Sequence, residues 1–319
     1  MGKHEVGVGD VNKSFNRRLL DMEKTLPDNS LFRDDLFDRA CQNLQNKNQA
    51  KIVQDISRLI VPSVEQLALF GAKDLDILVG SRSAFTNEQL QKLQPLVGES
   101  TDMSYFMATY YMYFPFLTCD VKCGAAALDV ADRQNAHSMT LAVRGVVELF
   151  RLAKHGKEID REILAFSMSH DHNTVRIYGH YPVIKGKNTA FYRHPIRKFD
   201  FTEQDRKEKW TAYRFTKNVY DVWMPTHFAR ICSVIDELSP DIAFQVSDRS
   251  NSRVSEATGL SQGVEGRFTE PSDLDTQFIR TKRSGHGSLA GLQDVTRQTR
   301  RSPPRPNPAR PKGQRNGGL

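Results

Sequence analysis

Asp120 and Lys122 stand two positions apart in the run Phe-Pro-Phe-Leu-Thr-Cys-Asp-Val-Lys-Cys over 114–123. In an extended strand alternate side chains leave on opposite faces. The acid and the amine then project together, while Cys119, Val121 and Cys123 point the other way, toward a core. A carboxylate that can hold Mg²⁺ beside an ammonium that can steady an anion suits metal-assisted cleavage of a phosphodiester. The alternative is a pair of solvated charges on an edge strand. The approach from Tyr105 to Cys119 is apolar and aromatic, which favours a strand, with Pro115 at its start or at a bulge.

The elements around that pair follow from periodicity. Apolar residues recur at helical spacing from Phe32 to Ile60, and Thr86 with Gln89 forms a capping box for a helix ending near Leu96. Asp74 to Gly80 reads as a short strand. A long helix is predicted over 125–153, with Ala131, Asn135, Ala142, Val146, Leu149 and Leu152 on its packing face. Strands are expected over 162–169 and 174–181, joined by a turn at His170–Asn173, with Arg176, Tyr178 and His180 on one face. A second turn at Lys185–Asn188 leads into 190–196. Helices resume near Thr202 and end near Leu238, with Pro225 between two of them. The strand–helix–strand order over 114–169 predicts a crossover between parallel strands. The fold expected is α+β, a mixed central sheet flanked by helices.

Composition sets the limits. The chain has 319 residues and a formal net charge of +7. Ten Lys/Arg and one Asp lie from Arg280 to the end, so the residues before them carry about −2. The basic character belongs to a Pro/Arg-rich tail, expected to be disordered over 241–319 and suited to nonspecific nucleic-acid contact. Residues 1–30 are polar and read as a flexible leader, leaving 31–240 as the globular domain. The first residues lack the apolar core of a secretory signal, and no run approaches the roughly 20 apolar residues of a membrane helix. Four cysteines form no dense framework, so reduced thiols and an intracellular setting, nucleus or cytoplasm, are expected.

Other candidates carry less. His170, His172, His180 and His194 invite a metal site, but the first two flank an expected turn, where polar residues are ordinary. His137 reads as a packing histidine. Trp210, Tyr213, Tyr220 and Trp223 recur on one helix, as a sheet-packing stripe would. Arg193, Arg197 and Lys198 form a small basic cluster. No Walker-type phosphate loop, kinase signature or Ser–His–Asp set is present.

Three long stretches carry a resemblance: FPFLTCDVKCGAAALDVADRQNAHSMTLAVRGVVELFRL, ILAFSMSHDHNTVRIYGHYPVI and KEKWTAYRFTKNVYDVWMPTH. Over roughly 31–240 the chain resembles a fungal domain of unknown function associated with the PD-(D/E)xK nuclease superfamily. That resemblance implies a restriction-endonuclease-like αβββαβ core with an extra C-terminal hairpin and helices. It implies Asp120 and Asp76 as Mg²⁺ ligands, Lys122 as the catalytic lysine and Gln134 as a supporting polar residue. Relatives carry Glu where Asp120 stands, Pro where Leu75 stands and Glu near Gln49. The activity implied is Mg²⁺-dependent hydrolysis of nucleic acid. The alternative is a catalytically inactive module that binds nucleic acid or protein.

Overall fold

The computed structural model describes residues 5–64, 67, 81–97, 106–109, 112–123 and 127–239. Asp76 and its expected strand lie outside the described residues, as does the basic tail.

Helix α1 spans Asp10–Asp21. Helix α2 spans Phe37–Leu44, and α3 covers 49–60 with a π segment at Val53–Ser57. Helix α4, Asn87–Val97, starts at the expected capping box: Gln89 N donates to Thr86 Oγ1 at 3.2 Å and Thr86 N to Gln89 Oε1 at 3.1 Å. The short strands β1 (Met107–Thr109) and β2 (Met112–Tyr113) pair antiparallel, away from the main sheet.

That sheet holds β3 (Leu117–Val121), β4 (Ala165–His170), β5 (Thr174–Lys185) and β6 (Asn188–Asp200), in that order. β3 and β4 are parallel, and the remaining pairs are antiparallel. Between β3 and β4 runs α5, Ala127–Leu152, so the crossover is built as expected. The fold is a mixed sheet flanked by helices. The C-terminal hairpin belongs to this sheet rather than standing beside it. Its turn is made by Gly186 at φ +58°, where a side chain would be strained.

One face of the sheet packs on α6 (Thr211–Asn218), a π segment (Val219–Trp223) and α7 (Met224–Asp236). Pro225 stands in the first turn of α7, where its missing N–H costs no hydrogen bond. The aromatic stripe does pack on the sheet: Phe166 meets Phe215 and Trp223 edge-on at 5.5 and 4.9 Å, and Phe116 lies 5.7 Å from Trp223. The other face packs on α5, where Ala131, Asn135, Ala142, Val146 and Leu149 are buried as their spacing required.

The leader expected over 1–30 is instead helical across α1. Leu19 is fully buried, and Asn218 Nδ2 donates to the carbonyls of Leu19 and Met22 at 2.9 Å each. Ile163 N donates to Asn12 Oδ1 at 3.1 Å. Polar groups do much of the anchoring, and apolar periodicity does not register them. Cys119 is another correction. It was expected in the core with Val121, but it is exposed while Val121 is buried. β3 is an edge strand of the described sheet, and Cys119 stands at its middle.

Candidate functional site

The site begins with the alternation of β3. Thr118 Oγ1 donates to Asn135 Oδ1 on α5 at 2.8 Å, which fixes that face of the strand toward α5. Period two then places Asp120 on the same face. Lys122 N donates to His170 O at 3.1 Å, extending the ladder one residue past β3. The Lys122 ammonium lies 3.6 Å from Asp120 Oδ1. The two side chains are 20% and 21% exposed, so neither is a solvated decoration nor sealed in the core.

The neighbours on that face are polar. Asp120 is in register with Ser169, and Ser169 with Arg176. Asn135 Nδ2 donates to Met168 O at 2.7 Å and to Ser169 Oγ at 3.0 Å, tying α5 to β4. Asp132, three residues earlier and so on the same side of α5, is 4% exposed. Its Oδ2 accepts from Arg176 Nη1 at 2.8 Å and from the Tyr178 hydroxyl at 2.9 Å. Arg176 also donates to Asp129 at 2.7 Å. Arg193 lies over the Tyr178 ring at 4.7 Å. Burial opposes the charge on Arg176, but the Asp129 and Asp132 carboxylates outweigh it and raise its pKa. Burial, reinforced by Asp132, raises that of Tyr178. Arg176 and Tyr178 therefore stay protonated and act as donors.

Two of the candidate histidines, His170 and His180, are buried and bonded within the fold. His170 is fully buried inside β4 rather than in the turn. Its Nδ1 faces Asp171 O at 2.9 Å and its Nε2 faces Ser57 Oγ at 3.0 Å. A carbonyl only accepts, so Nδ1 carries the proton and Nε2 accepts from the serine hydroxyl. Burial lowers the pKa of His170 to about 4. Burial, with help from Arg193, lowers that of His180 to about 3. Both rings are neutral at pH 7. His137, read as a packing histidine, is exposed.

The family model for a domain of unknown function, DUF7924, matches residues 36–82 and 76–235, and so takes in β3, α5 and β4–β6 entire. The chain belongs to that family. Comparison with curated proteins and with solved structures returned no match. The family description carries no activity, so the reading of this DUF7924 domain rests on its geometry.

Of the four residues picked from sequence, the structure brings Asp120 and Lys122 together. Gln134 is exposed on α5; its neighbour Asn135 holds the sheet. One helical step rotates a side chain by about 100°, which separates the two roles. Asp76 lies outside the described residues. Sequence reading missed Asp132. Its signal was the three-residue spacing to Asn135 on the buried face, opposite the Arg176–Tyr178–His180 alternation of β5. Arg193, Arg197 and Lys198 are not a free basic cluster: Arg193 is spent on Tyr178, and Arg197 pairs with Glu208.

No group of three His, Cys, Asp or Glu able to hold a metal ion occurs among the described residues. No helix among them is long and apolar enough to cross a membrane.

Proposed function

We propose that this domain hydrolyses phosphodiester bonds of nucleic acid at Asp120 and Lys122, with Mg²⁺ as its cofactor. The observation that carries the reading is the pair itself. An acid and an amine leave one face of an ordered strand 3.6 Å apart, each about four-fifths shielded. They lie at the carboxyl end of β3. Asp129 in the first turn of α5 bonds to Arg176, which is in register with Ser169 and so with Asp120, so the start of α5 lies at the same end of the sheet.

The donor chemistry fits a hard cation. Asp120 offers carboxylate oxygens, and Mg²⁺ keeps several waters, so one or two acids suffice. Asp76 is assigned the second acid on the strength of the superfamily resemblance. Bound there, the ion would polarise the phosphate and lower the pKa of an attacking water. The chain's own part is to position and to neutralise. Asp120 orients the site from a rigid strand. Lys122 stabilises the negative charge that grows on the phosphate in the transition state. Thr118, Asn135 and Ser169 hold β3 and β4 against α5, so the pair keeps its geometry.

A second reading, an inactive module binding nucleic acid or protein, is favoured by the exposure of Gln134 and by the lack of a metal-holding group of acids among the described residues. A cleavage assay separates the two. Single- and double-stranded DNA and RNA are incubated with the full chain and Mg²⁺ or Mn²⁺. The proposal expects metal-dependent cleavage that falls at least about a hundredfold in Asp120→Ala and Lys122→Ala. Binding without cleavage by the wild type, or cleavage surviving both substitutions, sinks it.

A further inference from the structure

A cavity of about 740 Å³ lies between α1, β6 and the start of α6, at the opposite edge of the sheet from β3. Lys13, Asn16, Arg17 and Leu20 line it from one side of α1, at the three- and four-residue spacing of a single helix face. Lys207, Thr211 and Arg214 line it from the other side, and Ile196 and Arg197 from β6. Five Lys/Arg meet three carboxylates there, an excess of two positive charges.

Two features point to an anionic guest. Asn16 is 4% exposed, and its amide nitrogen is buried without a hydrogen-bond partner. A buried donor left unpaired is costly and is rarely kept without a use. Arg17 and Lys207 also line the cavity, and neither forms an ion pair with any described residue, whereas Arg197 is held by Glu208 and Arg214 lies 3.4 Å from Glu23. An amide, a guanidinium fork and an ammonium lining one cavity supply the kinds of donor that the oxygens of a phosphate group accept from. Leu20 and Ile196 offer apolar surface for a short carbon skeleton. His194 brings a single imidazole to the lining, and no Phe, Tyr or Trp among the described residues joins it, so the cavity offers little stacking surface for a base.

We propose that this cavity binds a small organic phosphate ester, with Asn16, Arg17 and Lys207 taking the phosphate. The site is separate from Asp120 and Lys122 and does not depend on their activity.

Titration calorimetry on the full chain tests it, using inorganic phosphate, ribose 5-phosphate and AMP at constant ionic strength, with chloride as the control. Expected are one saturable site for phosphate and ribose 5-phosphate, no gain in affinity for AMP, and about tenfold weaker binding in Arg17→Ala and in Lys207→Ala. Both side chains are exposed, so both variants fold. Asn16→Ala should weaken binding similarly while melting no lower than wild type, because nothing in the fold uses that donor. Asp120→Ala should bind phosphate unchanged, which keeps this test apart from the fate of the β3 site. Absence of saturable phosphate binding, equal displacement by chloride, or affinity unchanged in the Arg17→Ala/Lys207→Ala double variant overturns the proposal.

Discussion

The two faces of the β3–β6 sheet are built on different principles. Toward α6 and α7 the strands present Phe166, Met168 and Ile177 against Phe215 and Trp223, and cohesion there is area and ring packing. Toward the first half of α5 they present Thr118, Asp120, Ser169, Arg176 and Tyr178, met by Asp129, Asp132 and Asn135. A stable fold has no need of the second arrangement, since apolar residues of similar volume commonly do as well. A polar layer opening onto an acid–amine pair is the kind of compromise found where chemistry is done. The apolar face holds the molecule together, and the polar face carries the proposed site.

The largest effect expected is on stability, and it distinguishes the faces by rescue rather than by size. Phe166→Ala should cost about 3–5 kcal/mol by opening a cavity. Asp132→Ala should cost about as much, because it strips the acceptor from Arg176 and Tyr178. Adding Arg176→Met to Asp132→Leu should restore most of the loss in urea denaturation, since an apolar pair can replace a buried ion pair. If the double variant is no more stable than Asp132→Ala, the polar face is not a separable network.

Next in size is pH dependence. His170 on the apolar face, His180 on the polar face and His227 against Trp223 are buried neutral, with pKa values lowered to about 4, 3 and 3, first by burial. An unfolded histidine titrates near 6.5. The stability these groups contribute is therefore complete above pH 6.5 and is lost as pH falls toward the folded values. The slope is about 1.4 kcal/mol per pH unit for each proton. Melting temperatures followed from pH 7 to 5 should fall, and His180→Gln should flatten the curve if that variant folds. His155 acts in the opposite sense and more weakly. Its nitrogens face Glu158 at 2.5 Å and Glu237 at 2.7 Å, bonds that raise its pKa. That contribution is complete below pH 6.5 and fades as pH rises through the folded value. His155→Gln should remove a small alkaline-side decline in melting temperature.

The smallest stability effect is expected at the site itself. Asp120→Ala and Lys122→Ala break a partly exposed pair and should shift stability by about 1 kcal/mol or less. Circular dichroism melts will show whether the pair carries more of the fold than this.

Much of the architecture was legible. Period two in 114–123 and 174–181 and period 3.6 in 125–153 gave β3, β5, α5 and the face of each, and the capping box marked the start of α4. Three features were not. Helix α1 is mostly polar along its length and is fastened by Asn12 and Asn218, whose hydrogen bonds leave no pattern in hydrophobicity. Asp132 shares the buried side of α5 with Asn135 by spacing, but an acid is ordinary near a helix start, and only the tertiary approach of Arg176 and Tyr178 shows it to be a buried acceptor. Gln134 and Asn135 are adjacent on one helix: the period placed Asn135 on the packing face, but Gln134 was named from the superfamily resemblance alone, and no pattern in hydrophobicity marks that the Asn135 amide bonds to both β3 and β4.

Manganese binding tests the central claim most directly, because it does not depend on knowing the substrate. Mn²⁺ titrated into the full chain and followed by electron paramagnetic resonance should fill one site in the wild type. Asp120→Ala, melting within a few degrees of the wild type, should lose it. Equal Mn²⁺ uptake by the two proteins, or none by the wild type, would contradict a metal-dependent role for the acid of β3.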